Sequence, residues 1–221
     1  MKALVTGGGG FLGNAIVRLL MARGDDVRSF SRSEYPELAQ LGVEQVQGDL
    51  ADTERMTTAA AGCDVVFHVA AKAGIWGDHA DYHRANVTGT ENVLAACRKQ
   101  AIKRLVYTGS PSVVFDGRDV EGSDESLPYL EHYEAHYPQT KALAEQLVLA
   151  ANSPSLATVS LRPHLIWAPA TINWYRGSSP APKQASCAAS ATAPAWWTQF
   201  MWTMLHRPIC SPPTASHTTA P

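Results

Sequence analysis

The chain has 221 residues, 45% apolar and 17% charged, with a net charge of −2, which is the composition of an ordinary folded protein rather than a disordered or fibrous one. That charge balance excludes the basic footprint of a nucleic-acid binder, and no apolar run reaches the ~20 residues a membrane span needs. Cys63, Cys97, Cys187 and Cys210 form no CxxC and no metal-ligand spacing, so reduced thiols in a cytoplasmic protein are expected, with no metal site.

Lys2 to Thr6 (KALVT) is a short apolar run ending in glycines and reads as a buried parallel strand. It starts so early that no room is left for a leader. Residues 11–23 carry apolar side chains at helical spacing (Phe11, Leu12, Ala15, Ile16, Leu19, Leu20) until Gly24 stops them. Strands are predicted at 27–31 and 43–47, then a small-residue helix at 51–61 and a strand at 64–70 (DVVFHVA). A long helix is predicted at 82–101, a fifth strand at 104–108 (RLVYT), a helix at 137–151 and a sixth strand at 157–162 (ATVSLR). Strands alternate with helices at the length of βαβ crossovers. This predicts an α/β fold, a Rossmann-type doubly wound parallel sheet covered on both faces.

Gly7, Gly10 and Gly13 form GxxGxxG between the first strand and the first helix. Glycine reaches the positive φ of a tight turn cheaply, and its missing Cβ lets a phosphate approach the backbone. The helix N-terminus behind it offers free N–H groups to an anion, so the pattern points to a dinucleotide pyrophosphate. An NAD site usually ends its second strand in an acid that holds the ribose hydroxyls. Here that position reads Phe30-Ser31-Arg32. A cation suits a 2′-phosphate, so NADP is expected. NAD is the alternative, with Arg32 then an ordinary cation of a surface loop. Asp49, in GDL after the third strand, lies either near the adenine or in a solvated turn.

Tyr137 and Lys141 stand four apart in YPQTK and share one helix face. A free phenol, with a pKa of about 10, is too weak an acid to lose its proton near neutrality. A neighbouring ammonium is expected to lower it, and in the reductive direction the protonated phenol donates to a developing alkoxide. Ser110, closing the fifth strand in TGSPS, is expected to polarise the substrate oxygen, with Ser112 as competitor. His68 reads as a packed core histidine before a proton carrier. His79, His83, His132 and His136 have no ligand spacing. Asn86 either shapes the site through a neighbouring backbone or is a plain helix asparagine.

TGGGGFLG, the GDL turn, FHVAA, NVTGTENV, VYTGSPSVVF, YPQTK and LRP occur in this order over residues 1–167. As a set they resemble the extended short-chain dehydrogenase/reductases of the NAD(P)-dependent epimerase/dehydratase superfamily, and within it the 3β-hydroxysteroid dehydrogenase-like branch. AAKAGIWGD and PSVVFDG are similar to bacterial reductases of 2-alkyl-3-oxoalkanoates. The resemblance implies hydride transfer at C4 of a nicotinamide. It implies Tyr137 as acid/base, supported by Ser110 and Lys141. It also implies a cofactor lined by Gly7, Gly10, Phe11, Leu12, Gly13, Arg32, Asp49, Leu50, Ala70, Ala71, Lys72, Tyr137, Lys141 and Pro163. The implied substrate is a small-molecule ketone or secondary alcohol, a β-keto acid or a 3β-hydroxysteroid-like compound. A homodimer pairing the helices at Tyr82 and Tyr137 is expected. Two alternatives stay open: a nucleotide-sugar epimerase or dehydratase, and a non-catalytic cofactor-binding remnant.

The family continues after LRP with a GPGD turn and a substrate-binding lobe. Here residues 168–221 hold none of the 20 acidic residues, 8 of the 14 prolines and 4 of the 6 tryptophans. A linker would not carry such tryptophans and a core would not carry such prolines. Codons compatible with residue 168 onward also permit a neighbouring frame that opens with GPGD. In that frame Trp196-Trp197 and Met201-Trp202 force valines, giving LVD and YVD. The chain therefore divides into an NAD(P)-binding domain, 1–167, and an irregular tail, 168–221, expected to be frameshifted or disordered. The expected consequence is a missing substrate lobe and weakened activity.

Overall fold

β1 (Lys2–Thr6) is the central strand of a six-stranded parallel sheet in a computed structural model that describes residues 1–118 and 122–163. The other strands are β2 (Asp26–Ser31), β3 (Glu44–Gln47), β4 (Val65–His68), β5 (Arg104–Thr108) and β6 (Ala157–Leu161). Their order is β3-β2-β1-β4-β5-β6, with every pairing parallel. Strand order reverses between β1 and β4, where Thr6 stands level with His68. In a sheet of this kind ligands bind in the crevice outside the carboxyl ends of the strands at that reversal.

The helices cover the sheet as the apolar spacing demands. α1 (Phe11–Ala22) packs on β1 and β2 through Ile16, Val17 and Leu20, all buried. On the other face lies the main core. Leu4, Phe30, Val66, Leu105 and Tyr107 of the strands meet Met56 of α3 (Thr53–Ala60), Val93 and Leu94 of α5 (Gly89–Lys99) and Val148 of α6 (His136–Ala150). Burial of this kind yields ~1.5–3 kcal/mol for each large apolar side chain.

The expected elements are present, with four differences of physical interest. The strand expected to reach residue 70 stops at His68, because the next two amides, Val69 and Ala70, both donate to the Thr6 hydroxyl at 3.1 Å. Helix 51–61 starts only at Thr53, where Asp52 caps it by accepting from the Arg55 N–H at 3.0 Å. A five-residue helix, α2 (Pro36–Gln40), stands outside the expected elements and begins on its proline. The long helix expected at 82–101 is three pieces in line: α4 (His79–Tyr82), a π-helical turn (His83–Thr88) and α5. A π turn inserts one residue into the helical ladder and rotates the side chains around it. Here it re-aims Asn86.

Candidate active site

The glycine turn is built by close packing. Gly7 has φ +70 and donates to the Phe30 carbonyl at 2.8 Å. A Cβ there would sit 3.1 Å from Ala70, and a Cβ on Gly13 would overlap the Gly7 carbonyl oxygen. The first turn of α1 therefore sits directly on the turn that leaves β1. Gly10 precedes it in extended conformation. Phe11 and Leu12 open the helix, and Ala70 faces the turn from the end of β4. This is a backbone surface that a pyrophosphate fits and that any added side chain would fill.

Arg32 comes directly after the last residue of β2 and is exposed, making no ion pair or hydrogen bond among the described residues. Asp49 is more committed than either of its two expected placements required: it accepts from the Ala51 N–H at 2.9 Å and pairs with Arg84 at 2.9 Å. Leu50 is partly buried against the core, and its carbonyl accepts from Asn92 at 2.8 Å.

A directional hydrogen-bond path joins this turn to α6. The Thr6 hydroxyl accepts two amides, so its own proton goes to His68 Nδ1 at 2.8 Å. The ring hydrogen must then lie on Nε2, which donates to Thr90 at 3.0 Å. Thr90 donates in turn to the Asn86 carbonyl at 2.6 Å. The Asn86 side chain accepts from the Lys72 N–H at 2.7 Å. It donates to the Lys72 carbonyl at 3.1 Å and to Thr140 at 3.0 Å. Asn86 thus ties the Ala71-Lys72 segment to α6, the first of the two roles left open for it. Burial, with the Lys141 charge nearby, pulls His68 down to about 3, which keeps it a neutral structural ring.

Tyr137 and Lys141 lie on the first two turns of α6, and Ser110 sits at the end of β5 beside Tyr137. Ser110 and Ser112 share a hydrogen bond of 2.7 Å, and Tyr133 fixes their turn by donating to the Val113 carbonyl at 2.8 Å. The expected electrostatics need correction. Burial holds the Tyr137 phenol above its ordinary value, and only the Ser110 hydroxyl opposes this. Lys141 does not oppose it, because an amine brought down to about 7 is uncharged in the range where a phenol titrates. Lys141 Nζ donates to the Thr108 carbonyl at 2.6 Å and lies 4.1 Å from the centre of the Tyr107 ring. Burial brings Lys141 itself down to about 7, against an opposing pull from Glu145. The phenol is therefore protonated at rest.

Sequence reasoning missed Glu145. Its carboxylate, fully buried on α6, accepts from Tyr129 at 2.9 Å, from Ser160 at 2.9 Å and from Arg162 at 2.8 and 2.5 Å. The available signal was its spacing, four residues past Lys141 on the same face. Pro163 comes directly after Arg162 at the limit of the described residues. No group of three or more His, Cys, Asp or Glu is placed to hold a metal among the described residues, and no helix there is long and apolar enough to cross a membrane. Cys63 and Cys97 are free and buried; Cys187 and Cys210 lie outside the described residues.

Strand order, glycine turn and Tyr/Lys helix together define an NAD(P)-type Rossmann oxidoreductase scaffold of the extended short-chain dehydrogenase/reductase kind. Within that class the chain belongs to the 3-beta hydroxysteroid dehydrogenase/isomerase family, whose pattern matches residues 4–187. The match runs past Trp167, where the motif reading places the end of the resemblance. A 2-alkyl-3-oxoalkanoate reductase of Stenotrophomonas maltophilia is 58% identical over 76% of this chain and 52% of its own length. One from Shewanella oneidensis is 51% identical over 76% and 45%. A 3-beta-hydroxysteroid dehydrogenase of Mycolicibacterium neoaurum is 40% identical over 75% and 47%. The chain thus spans about half the length of the curated relatives it matches. Among solved structures, a short-chain dehydrogenase/reductase superfamily protein from Agrobacterium tumefaciens with bound NAD aligns with a TM-score of 0.65 and 31% identity, over 73% of this chain and 48% of that one. A UDP-glucose 4-epimerase of Thermus thermophilus in complex with NAD aligns at 0.63 and 32%, over 73% and 54%.

Proposed function

We propose that this chain is the cofactor-binding part, residues 1–167, of an NADP-dependent reductase acting on the ketone of a β-keto acid or a 3-oxosteroid-like compound. The observation that carries the reading is a partly buried phenol, Tyr137, kept protonated beside the Ser110 hydroxyl at the carboxyl end of the sheet. The nicotinamide, when bound, supplies the hydride. Ser110 orients the carbonyl oxygen, and Tyr137 gives its proton to the oxygen as negative charge develops there. Lys141 holds the ribose hydroxyls. Gly7, Gly10 and Gly13, with Phe11 and Leu12, hold the pyrophosphate, while Ala70, Ala71, Lys72 and Pro163 border the nicotinamide half. Asp49 and Leu50 lie on the adenine side. NADP is favoured by the exposed Arg32 and by the absence of a carboxylate at the end of β2. The oxoalkanoate class is supported by the 58% identical relative.

The sequence after Trp167, read as a shifted frame, leaves Tyr137 without a substrate lobe, so cofactor binds more readily than ketone is turned over. Fluorescence titration tests the first half. NADPH should bind more tightly than NADH, and Arg32→Gln should weaken NADPH about tenfold or more while leaving NADH unchanged. Equal affinities in the unaltered chain would overturn the NADP assignment. Joined to a relative's C-terminal half, the chain should reduce long-chain β-keto acids, and Tyr137→Phe should lower kcat at least 100-fold. The resemblance to a UDP-glucose 4-epimerase favours a second reading, which epimerisation of a UDP-sugar by the same fusion would promote. A homodimer through α6 belongs to the same proposal; Leu143 and Leu149 are exposed on that helix.

A further inference from the structure

Gly9 does not need to be glycine for the sake of its backbone. Its φ lies outside the left-handed region, unlike that of Gly7, so the turn itself would accept a side chain there. A neighbour forbids one. A Cβ on Gly9 would overlap the ring of Tyr35 at three of its carbons. The ring therefore rests directly on the bare backbone of the glycine turn.

Tyr35 comes from the loop that leaves β2, three residues past Arg32. That loop follows the strand end at which a dinucleotide fold holds the adenosine ribose. The Tyr35 main chain is fixed from three directions. Its N–H donates to the Gln45 side-chain oxygen at 2.8 Å, and its carbonyl accepts from the nitrogen of the same side chain at 3.1 Å. Gln45 is itself held in β3, paired with Ser29 of β2. Tyr35 is extended ahead of Pro36, as a residue before proline prefers, and it caps α2 by accepting from the Leu38 N–H at 3.0 Å. The side chain is less committed. The ring is only partly buried and stands outside the apolar core, and its hydroxyl makes no hydrogen bond among the described residues. A rigidly placed aromatic ring thus lies on polar backbone, at the end of the sheet where ligands bind.

We propose that Tyr35 is a further cofactor-binding residue: its ring, seated on Gly9 with its backbone clasped by Gln45, is a fixed wall against which the adenosine half of the dinucleotide is held.

The proposal rests on the reading of the glycine turn as a dinucleotide site, and it is independent of the choice between NADP and NAD. Two residues of one loop divide the labour. Arg32 answers to a 2′-phosphate and so tells one dinucleotide from the other. Tyr35 offers an uncharged aromatic surface to the base and sugar that both share. The third glycine of TGGGG, which the GxxGxxG spacing leaves unexplained, is the seat of that ring.

Calorimetric titration of the 221-residue chain with pieces of the cofactor tests this. The probes are 5′-AMP, adenosine 2′,5′-bisphosphate and nicotinamide mononucleotide. Tyr35→Ala should weaken the two adenosine compounds by the same factor, about tenfold, and leave nicotinamide mononucleotide unchanged. Tyr35→Phe, which keeps the ring, should stay within about threefold of the unaltered chain. Gly9→Ala, which pushes the ring off its seat, should reproduce the loss seen in Tyr35→Ala. By NMR of the chain carrying carbon-labelled tyrosine, 5′-AMP should shift the ring signal that Tyr35→Phe removes, and nicotinamide mononucleotide should not. Tighter binding by Tyr35→Ala would make the ring an occluding lid. Unchanged affinities with a lower thermal midpoint would make it packing. Either result overturns the proposal. Arg32→Gln separates it from the NADP assignment: that variant should weaken the bisphosphate and not 5′-AMP. If it weakens neither while Tyr35→Ala weakens both, the NADP reading fails and the wall stands. If the unaltered chain binds neither these compounds nor NADPH, the dinucleotide reading is overturned and the wall with it.

Discussion

Replacing Lys141 with methionine should leave a chain whose stability no longer climbs between pH 7 and pH 9. Burial lowers this amine from its ordinary 10.5 to about 7. Between those values the unfolded chain binds a proton that the folded chain lacks. Stability therefore rises with pH, by at most about 1.4 kcal/mol per unit. The gain is complete above 10.5 and lost as the pH falls through about 7. From pH 7 to 9 the ceiling is about 2.7 kcal/mol. Methionine fills a similar volume and carries no charge. It forfeits the bond to the Thr108 carbonyl, worth about 1 kcal/mol at every pH. Urea unfolding of both chains at pH 7, 8 and 9 reads the difference directly. Burial also raises Cys63, Cys97 and Tyr107, but these act on both chains alike and cancel. A difference that stays constant to within about 0.5 kcal/mol across that range would refute the reasoning.

Gly13→Ala should abolish the NADPH fluorescence response and cost about 1–3 kcal/mol in stability, because the new methyl has to displace the Gly7 carbonyl. Asn86→Ala orphans the Lys72 N–H and carbonyl. It should lower stability by about 2–4 kcal/mol, visible as a drop of several degrees in the thermal midpoint. His68, held down to about 3, stabilises the fold fully above pH 6.5 and progressively less as the pH falls toward 3. His68→Asn should flatten that acid limb in denaturant titrations at pH 4 to 7.

The glycine turn and the Tyr137–Lys141 pair were legible because their chemistry lies in local spacing: three glycines where a strand meets a helix, and two side chains one turn apart. The sheet was legible for the same reason, since each buried strand is a short apolar run between helical periods. What stayed hidden depends on contacts distant in sequence. The π-helical turn cannot be seen in HRANVT; it carries Asn86, whose partners Lys72 and Thr140 lie 14 and 54 residues away in sequence. Glu145 looks like any helix glutamate until Arg162 and Ser160 arrive from β6 and its end. The expected lowering of Tyr137 by Lys141 failed on burial, which raises the phenol and brings the amine down to about 7. Spacing placed the two side chains one turn apart, but it does not reveal that Lys141 is buried and bonded to the Thr108 carbonyl.

The Arg162–Glu145 pair sits where the polypeptide leaves β6. The sheet's last strand is bolted to α6 before the chain travels on, and that bolt is made wholly from residues already laid down. The cofactor half closes itself, and Pro163 becomes a graft point. Fusions made just beyond it, carrying any downstream sequence, should inherit a seated sixth strand and an undisturbed α6.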